Sequence, residues 1–178
     1  MARFHIISVS ISITTLNAKL AATMEPRTSA PHARLRAIRE LSEAGVPVTA
    51  MVAPIIPGLT DSEVPAILEA VAAAGAKSAS YIVLRLPWNI RPAFLEWLAR
   101  TQPAKKQLVE SRIRSTRSGE INNANFGSRV RGEGQIADQI RQTFRVFARK
   151  HGLDRELEPL STAHFRRPTP SSGQLRLF

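Results

Sequence analysis

The sequence contains no cysteine among its 178 residues. This absence excludes disulfide bridges, and it excludes iron–sulfur clusters or cysteine-type zinc sites built from this chain alone. The four histidines are scattered and show no metal-ligand spacing. No apolar run reaches the roughly 18 residues that a membrane-spanning helix needs, and the N-terminus does not read as a signal peptide. We therefore expect a cytoplasmic protein without membrane contact.

What the sequence has in excess is positive charge. Its 25 lysines and arginines outnumber 14 aspartates and glutamates, which gives a formal net charge of +11. Residues 91–150 alone carry 13 basic and 5 acidic side chains, a net charge of +8. Such a segment can follow a phosphate backbone or another anion, and it can equally be a solvated basic face without a ligand.

The first ninety residues alternate strand and helix patterns. The first pattern alternates β-branched residues with serine and threonine, which predicts a strand with one face of small hydroxyls. Connections of this length between strands predict parallel pairing and an α/β fold. The predicted strands are 6–15, 46–56 and 78–86, and the predicted helices are 31–44 and one that opens at a Thr60–Glu63 capping box and ends near Ala74.

The C-terminal half reads as helices and a basic loop. Helices are predicted at 91–101, 105–117 and 135–151. Three arginines of the second helix lie off its apolar face and are predicted to be solvated, where they can contact an anion: Arg112, Arg114 and Arg117. Arg129 and Arg131 stand in the glycine-rich stretch 119–134, where they can hold a phosphate or belong to a plain basic loop.

Several stretches carry a family resemblance. They are VSISITTLNAKLAATMEPRTSAPHARLRAIRELSEAGVPV, VAPIIPGLTDSE, YIVLRLP, FGSRVRGEG and the FRRP…GQLRLF ending. Together they resemble the second half of a radical SAM core domain, and in particular the spore photoproduct lyase-like group called DNA-repair photolyases. The resemblance implies a partial, TIM-like (β/α)6 barrel. It also implies a [4Fe–4S] cluster that cleaves S-adenosylmethionine to a 5′-deoxyadenosyl radical.

The chain departs from that family at the cluster. The family holds its cluster with a CxxxCxxC loop after the first barrel strand, and this sequence has no cysteine. The resemblance implies that the chain begins near the family's fourth strand and cannot bind the cluster alone. A chain supplying the N-terminal half-barrel, or a longer gene start, would provide it. The expected organisation is a half-barrel at 1–90, a basic helical extension at 91–160 and a flexible tail at 161–178.

The resemblance also implies contacts with S-adenosylmethionine from the first predicted strand. Ser10, Ser12 and Thr14 match the positions that contact the ribose and methionine parts, and the alternative is a small-residue face that only packs the barrel. Arg27 of the EPRT stretch can grip a carboxylate with its planar guanidinium. The alternative for Arg27 is a salt bridge within the loop to Glu25.

Further contacts are implied at the ends of the second and third predicted strands. Ile55, Pro57 and Gly58 match a motif that lies beside the adenine, with Gly58 allowing close backbone approach or serving as a simple turn glycine. Arg85, in the strand that matches the family's sixth, either points inward or caps the end of the sheet.

The last residues, QLRLF, resemble the short motif by which bacterial replication and repair proteins dock on the sliding clamp. The docking residues would be Gln174, Leu175, Leu177 and Phe178. The alternative is a tail that folds back on its own domain. Three functions stay open at this point: a radical SAM enzyme acting on DNA, a non-catalytic nucleic-acid-binding remnant that docks on the clamp, and a truncated gene product without independent function.

Overall fold

A parallel sheet of three strands organises the chain. The computed structural model describes residues 6–121 and 128–163. The strands are β1 (Val9–Ser12), β2 (Val48–Ile55) and β3 (Ser78–Val83), hydrogen-bonded in the order β1-β2-β3. The helices are α1 (Ala18–Met24), α2 (Pro31–Glu43), α3 (Val64–Ala73), α4 (Arg91–Thr101), α5 (Lys106–Ser115), α6 (Ser128–Arg131) and α7 (Gly134–Lys150). The predicted mixed α/β fold with three parallel strands is confirmed.

The two faces of the sheet differ in chemistry. The register pairs Val9 with Val48 and places Val52 beside Tyr81, so that apolar side chains form one face. Side chains alternate between faces along a strand, which puts the serines of β1 on the other face. Helices α2, α3 and α7 contribute to the core on the apolar face, whose fully buried members include Ile13, Ile38, Val48, Ile67, Leu68, Val71 and Val83.

Helix α7 completes this core from the far end of the chain. Its apolar positions recur at helical spacing, and Ile140 and Phe144 pack into the same core cluster as the residues of α3 and β3. The segment after α7 then meets the outer edge of β3, where the Ala79 amide donates to the Leu153 carbonyl at 2.9 Å. The predicted helix at 135–151 is confirmed, and the predicted domain boundary at residue 90 stays a prediction.

A second apolar cluster joins α1, α4 and α5 to the segments that follow β2 and β3. Ile56 and Leu59 enter it after β2, and Leu84 and Leu86 enter it after β3. The helices supply Leu20, Leu98, Val109 and Ile113. This cluster holds the helices of the C-terminal half against the carboxyl ends of the strands, where parallel α/β folds gather their functional residues.

Two local predictions are wrong. The sequence 6–15 was predicted to be one strand, but β1 ends at Ser12 and α1 follows, because the Asn17 side chain accepts hydrogen bonds from the Lys19 and Leu20 amides. The predicted capping box is absent, since the Glu63 carboxylate instead accepts hydrogen bonds from the Thr15 hydroxyl at 2.7 Å and the Leu16 amide at 2.8 Å. Glu63 therefore joins two chain segments instead of capping α3.

Candidate functional site

A face of small hydroxyls covers the side of the sheet opposite the helices. Ser8, Ser10 and Ser12 of the β1 segment are all exposed. Across the sheet, the Thr49 and Ser78 hydroxyls lie 2.8 Å apart and hydrogen-bond to each other. We call this surface, with Ser8, Ser10, Ser12, Thr49, Ser78 and Ser80, the serine face. Two of the three predicted ribose-contacting residues, Ser10 and Ser12, lie on it.

Thr14 lies off the serine face. Its side chain is 3% exposed, and its hydroxyl stands 3.1 Å from a Glu25 carboxylate oxygen and 3.0 Å from the Ala53 carbonyl. A hydroxyl has one proton to donate, so these two acceptors share it. Thr14 thus joins the end of β1 to the loop after α1 and to β2.

A network of polar groups closes the carboxyl end of β1. Arg34, in the first turn of α2, forms an ion pair with Glu25 and donates to the Thr28 hydroxyl at 2.8 Å. The same guanidinium donates to the Ser12 carbonyl at 2.9 Å and to the Ser12 hydroxyl at 3.1 Å. Ser12 is therefore fixed in orientation by Arg34, which the sequence reading did not single out.

The alternative considered for Arg27, a salt bridge to Glu25 within the loop, is not formed. Arg34 takes the Glu25 carboxylate, and the Arg27 side chain is exposed at the loop surface. The first turn of α2 lies next to the end of β1, and Arg34 of this turn contacts both Ser12 and Glu25. Arg27 keeps its guanidinium available to an external carboxylate, and that role stays a prediction.

The end of β2 is more deeply packed than the sequence indicates. Ile55 is 1% exposed and lies in the main core, and Pro57 is buried. Gly58 adopts a positive φ of 85°, and its amide donates to an Asp61 carboxylate oxygen at 3.0 Å. The other Asp61 oxygen accepts a hydrogen bond from Arg112 at 3.0 Å. Gly58 is thus a turn glycine packed against α5, and the contact of these residues with adenine stays a prediction.

Replacing Gly58 with alanine tests this packing. A Cβ at Gly58 would lie 3.1 Å from the Arg112 Cδ in a left-handed backbone conformation, so we expect the free energy of unfolding to fall by about 1.5 kcal/mol. Gly119 has a φ of 90° and nothing within 4 Å of its Cβ position. Gly119→Ala should therefore cost only about 1 kcal/mol, from the backbone alone. Equal losses in urea denaturation would contradict the crowding at Gly58.

The carboxyl end of β3 holds two arginines. Arg117 is 1% exposed, and its Nη2 donates to the Val83 carbonyl at 3.1 Å and the Leu84 carbonyl at 2.8 Å. Burial and the neighbouring charge of Arg85 lower the pKa of Arg117, which Glu133 partly offsets. The prediction that Arg117 is solvated is wrong, because Arg117 follows the buried Val109 and Ile113 at a helical spacing of four residues and so lies on the apolar side of α5. The Arg85 Nε is buried without a hydrogen-bond partner in the described part of the chain.

The other arginines of the predicted basic surface have separate neighbours. Arg112 is held by Asp61, Arg114 is exposed, and Arg129 is half-buried. Arg131 donates to the Tyr81 carbonyl at 2.9 Å and lies over the Tyr81 ring. The docking residues proposed for the tail, Gln174, Leu175, Leu177 and Phe178, lie outside the described residues.

Residues 6–121 and 128–163 contain neither a membrane-spanning helix nor a cluster of metal ligands. None of the helices there is long and apolar enough to cross a membrane. No group of three or more histidine, aspartate or glutamate side chains in those ranges is placed to hold a metal ion. The chemistry available at the strand ends is therefore that of hydroxyls, backbone amides, carboxylates and guanidinium groups.

The N-terminal part of the chain is similar to a known protein superfamily. Residues 1–71 match the Radical SAM superfamily. The matched range runs from β1 through most of α3 and so includes the serine face of β1 and the Glu25–Arg34 network. The predicted similarity to radical SAM proteins is confirmed at this level, and no solved structure gives a significant match.

The curated relatives cover part of the chain only. Two are the uncharacterized proteins Mb2609c of Mycobacterium bovis and Rv2578c of Mycobacterium tuberculosis, each 37% identical over 99 residues. The alignment covers 54% of this chain and 29% of each relative. The uncharacterized protein ORF301 of Acidianus two-tailed virus is 45% identical over 49 residues, or 28% of this chain and 16% of that protein. The aligned part thus spans less than a third of these relatives.

The superfamily implies S-adenosylmethionine and a [4Fe–4S] cluster. The residues of this chain are suited to the first of these groups and not to the second. A cluster of this kind is held by thiolates, and the sequence contains no cysteine. The chain's own residues therefore do not fit the cluster. The exposed hydroxyls of Ser10 and Ser12 do fit the ribose of S-adenosylmethionine, because short hydroxyls can both donate and accept hydrogen bonds without filling the space above the sheet.

Proposed function

We propose that this chain is the S-adenosylmethionine-binding C-terminal portion of a radical SAM protein. The observation that carries the proposal is the superfamily match over residues 1–71, which includes an exposed strand face of hydroxyls. In this proposal the cysteines for the cluster come from another polypeptide segment, and the chain alone does not perform radical chemistry. When bound, S-adenosylmethionine supplies the organic radical that such proteins use to abstract hydrogen.

Each side chain at the end of β1 has a role in this proposal. Ser10 and Ser12 bind the ribose hydroxyls, and Arg34 orients the Ser12 hydroxyl by donating a hydrogen bond to it. The exposed Arg27 binds the methionine carboxylate through its planar guanidinium. Arg85, which follows β3 and has a buried Nε without a hydrogen-bond partner among the described residues, is the further contact that we propose at this end of the sheet.

The edge of β1 offers the place where a barrel would continue. Within the described residues, β1 pairs only with β2, so its outer edge has no strand beside it. Arg34 already occupies the Ser12 carbonyl on this edge, and the backbone groups of the residues before it, such as Ser10, are those that would accept another strand. We propose that a half-barrel carrying the CxxxCxxC loop pairs there, so that the chain supplies strands four to six of a (β/α)6 barrel.

The basic residues favour a nucleic-acid substrate, as in a DNA-repair enzyme. Residues 91–150 carry a net charge of +8, and Arg114, Arg141 and Arg145 are exposed. The same surface supports a second candidate function, a non-catalytic nucleic-acid-binding protein that docks on the sliding clamp through its tail. The lack of cysteine favours this second candidate, because it needs no cluster. Salt-dependent DNA binding is expected for both.

Binding of S-adenosylmethionine separates the two. We expect the full chain to bind it saturably in equilibrium dialysis, and we expect Ser10→Leu to weaken binding at least tenfold by filling the space above the sheet. Ser111→Leu, at an exposed position on α5, is the matched control and should bind like the wild type. No saturable binding by the wild type, or equal loss in both variants, would overturn the proposal.

Reconstitution with iron and sulfide tests the assignment of the cluster to another segment. A [4Fe–4S] cluster needs thiolate ligands, so the purified chain should show no visible charge-transfer absorbance after reconstitution. Addition of a polypeptide that carries CxxxCxxC should restore that absorbance in the mixture. A stoichiometric cluster on this chain alone would contradict the assignment.

A further inference from the structure

We infer that a cavity between β3 and α7 is a binding site for a phosphate ester. The cavity has a volume of about 300 Å³ and lies on the helix side of the sheet, at the outer edge of β3. Its walls include Tyr81, Arg131, Arg141, Phe144, Arg145 and Asp154. The cavity shares Ser80 with the serine face, but it lies at the β3 edge of the sheet, whereas Ser10 and Ser12 of the proposed S-adenosylmethionine site lie on β1 at the other edge.

Three guanidinium groups give the cavity its charge. Arg131 is held in place, donating to the Tyr81 carbonyl at 2.9 Å and to the Ser80 hydroxyl at 3.3 Å. Arg141 and Arg145 stand four residues apart on α7, a spacing that puts both on the same side of a helix. One carboxylate, Asp154, lines the cavity against these three cations.

The two arginines of α7 remain available to a ligand. Among the described residues, Arg141 forms an ion pair with Asp138 at 2.9 Å, and both side chains are more than half exposed. An ion pair so exposed contributes little and exchanges easily. Arg145 is exposed and has no hydrogen bond or ion pair with any residue in the described part of the chain. A planar guanidinium binds phosphate oxygens with two parallel hydrogen bonds, so this pair of side chains suits an oxyanion.

The remaining wall is apolar and contains an unsatisfied hydroxyl. The Tyr81 and Phe144 rings pack with their centroids 4.6 Å apart and their planes tilted by 42°, and Arg131 lies 4.0 Å from the centroid of the Tyr81 ring. Tyr81 is 4% exposed, and its hydroxyl has no hydrogen-bond partner among the described residues. This hydroxyl is closed off from the cavity, so Tyr81 contributes its ring and its backbone carbonyl, both of which hold Arg131 in place.

These features together select the class of ligand. The arginines select an oxyanion, and the wall formed by Phe144 and Ala148 accommodates an organic group beside it. The cavity is larger than one phosphate ion needs, which favours an ester over the free ion. Such a phosphate comes either from a small-molecule monoester or from the phosphodiester backbone of a nucleic-acid strand.

The single tyrosine of the sequence makes the test specific. The full chain labelled with [13Cζ]tyrosine should give one resonance from residue 81, which senses ligand in the cavity directly. Phenyl phosphate should shift this resonance saturably, whereas phenol, which lacks the phosphate, should not. Replacing phenyl phosphate with a short single-stranded oligodeoxynucleotide distinguishes the two sources of the phosphate, and a saturable shift with either ligand supports the site.

Matched variants on α7 assign the effect to the cavity. Arg145→Gln should weaken phenyl phosphate binding about tenfold by removing a charge-assisted hydrogen bond. Arg149→Gln changes the protein charge equally at an exposed position of α7 that does not line the cavity, and it should bind like the wild type. No saturable shift with either phosphate ligand, or equal weakening by both variants, would overturn the inference. S-adenosylmethionine contains no phosphate, so failure of its proposed site leaves this result intact.

Discussion

Replacing Arg117 with methionine is expected to lower the free energy of unfolding by about 3 kcal/mol. The Arg117 guanidinium is buried and donates to the carbonyls of Val83 and Leu84, which follow one another at the end of β3. Methionine has a similar length but no donor, so both carbonyls lose this partner in a buried environment. A lost hydrogen bond to a buried acceptor costs more than its net contribution when formed, because the acceptor stays out of water.

Arg114→Met is the control for this substitution. Arg114 is exposed on α5, three residues before Arg117. Its replacement by methionine changes the charge and the length of the side chain in the same way as Arg117→Met. It should change stability by less than about 0.5 kcal/mol. The measurement is urea denaturation followed by far-ultraviolet circular dichroism. If the two variants unfold at the same urea concentration, the buried role of Arg117 is contradicted.

Replacing Arg34 with methionine should lower the free energy of unfolding by about 2.5 kcal/mol. Its guanidinium donates to groups from two segments, Ser12 at the end of β1 and Thr28 and Ser29 in the loop between α1 and α2. Without it, the half-buried Glu25 carboxylate loses its ion-pair partner, and Ser12 loses the group that orients its hydroxyl. The loss should therefore exceed that of an ordinary surface ion pair.

A double-mutant cycle separates the ion pair from the other contacts. In a Glu25→Gln background, Arg34→Met should cost less than in the wild type by about 1 kcal/mol, because the uncompensated carboxylate is gone. The control is Arg36→Met on the same helix, whose pair with Glu40 is more than 60% exposed on both sides and should matter by less than about 0.5 kcal/mol. A coupling energy near zero between Glu25 and Arg34 would argue against the network.

The periodic parts of the fold can be predicted from the sequence. Alternation of small hydroxyls with β-branched residues in the β1 segment, and long connections between strands, predict the parallel sheet and its serine face. The wide apolar stripe of Ile136, Ile140, Phe144 and Phe147 likewise predicts α7. In each case the pattern is local. A strand or helix that buries one face has apolar residues at the repeat of that element, so the repeat is visible within the element itself.

The polar contacts could not be predicted in this way. The inward direction of Arg117 follows from its helical spacing to the buried Val109 and Ile113, but its partners, the Val83 and Leu84 carbonyls, lie 34 and 33 residues earlier in the chain. Glu63 has the spacing of a capping residue, yet it binds Thr15, which is 48 residues earlier. Hydrogen bonds between residues so distant in sequence depend on how the helices pack against the sheet, and a local sequence pattern does not predict them.

The same limit applies to the candidate binding sites. Ser10 and Ser12 follow from strand alternation, but Arg34 becomes a neighbour of Ser12 only when α2 crosses back over β1. Arg131 and Arg145 belong to one cavity only because α7 packs against β3. The sequence shows the basic segment only as an excess of positive charge. In the structure, Arg117 is buried, Arg112 is paired with Asp61, and three other arginines line the cavity beside β3: Arg131, Arg141 and Arg145.

The position of α7 at the end of the described chain has a consequence for synthesis on the ribosome. The apolar side of α3 and the Tyr81 ring are covered by Ile140 and Phe144, and the edge of β3 is paired by Leu153. Translation delivers the strands first and this cover last. A nascent chain therefore carries its three strands, α2 and α3 with the part of the apolar side that α7 covers still exposed until residue 153 has left the exit tunnel, and chaperones would bind in that interval.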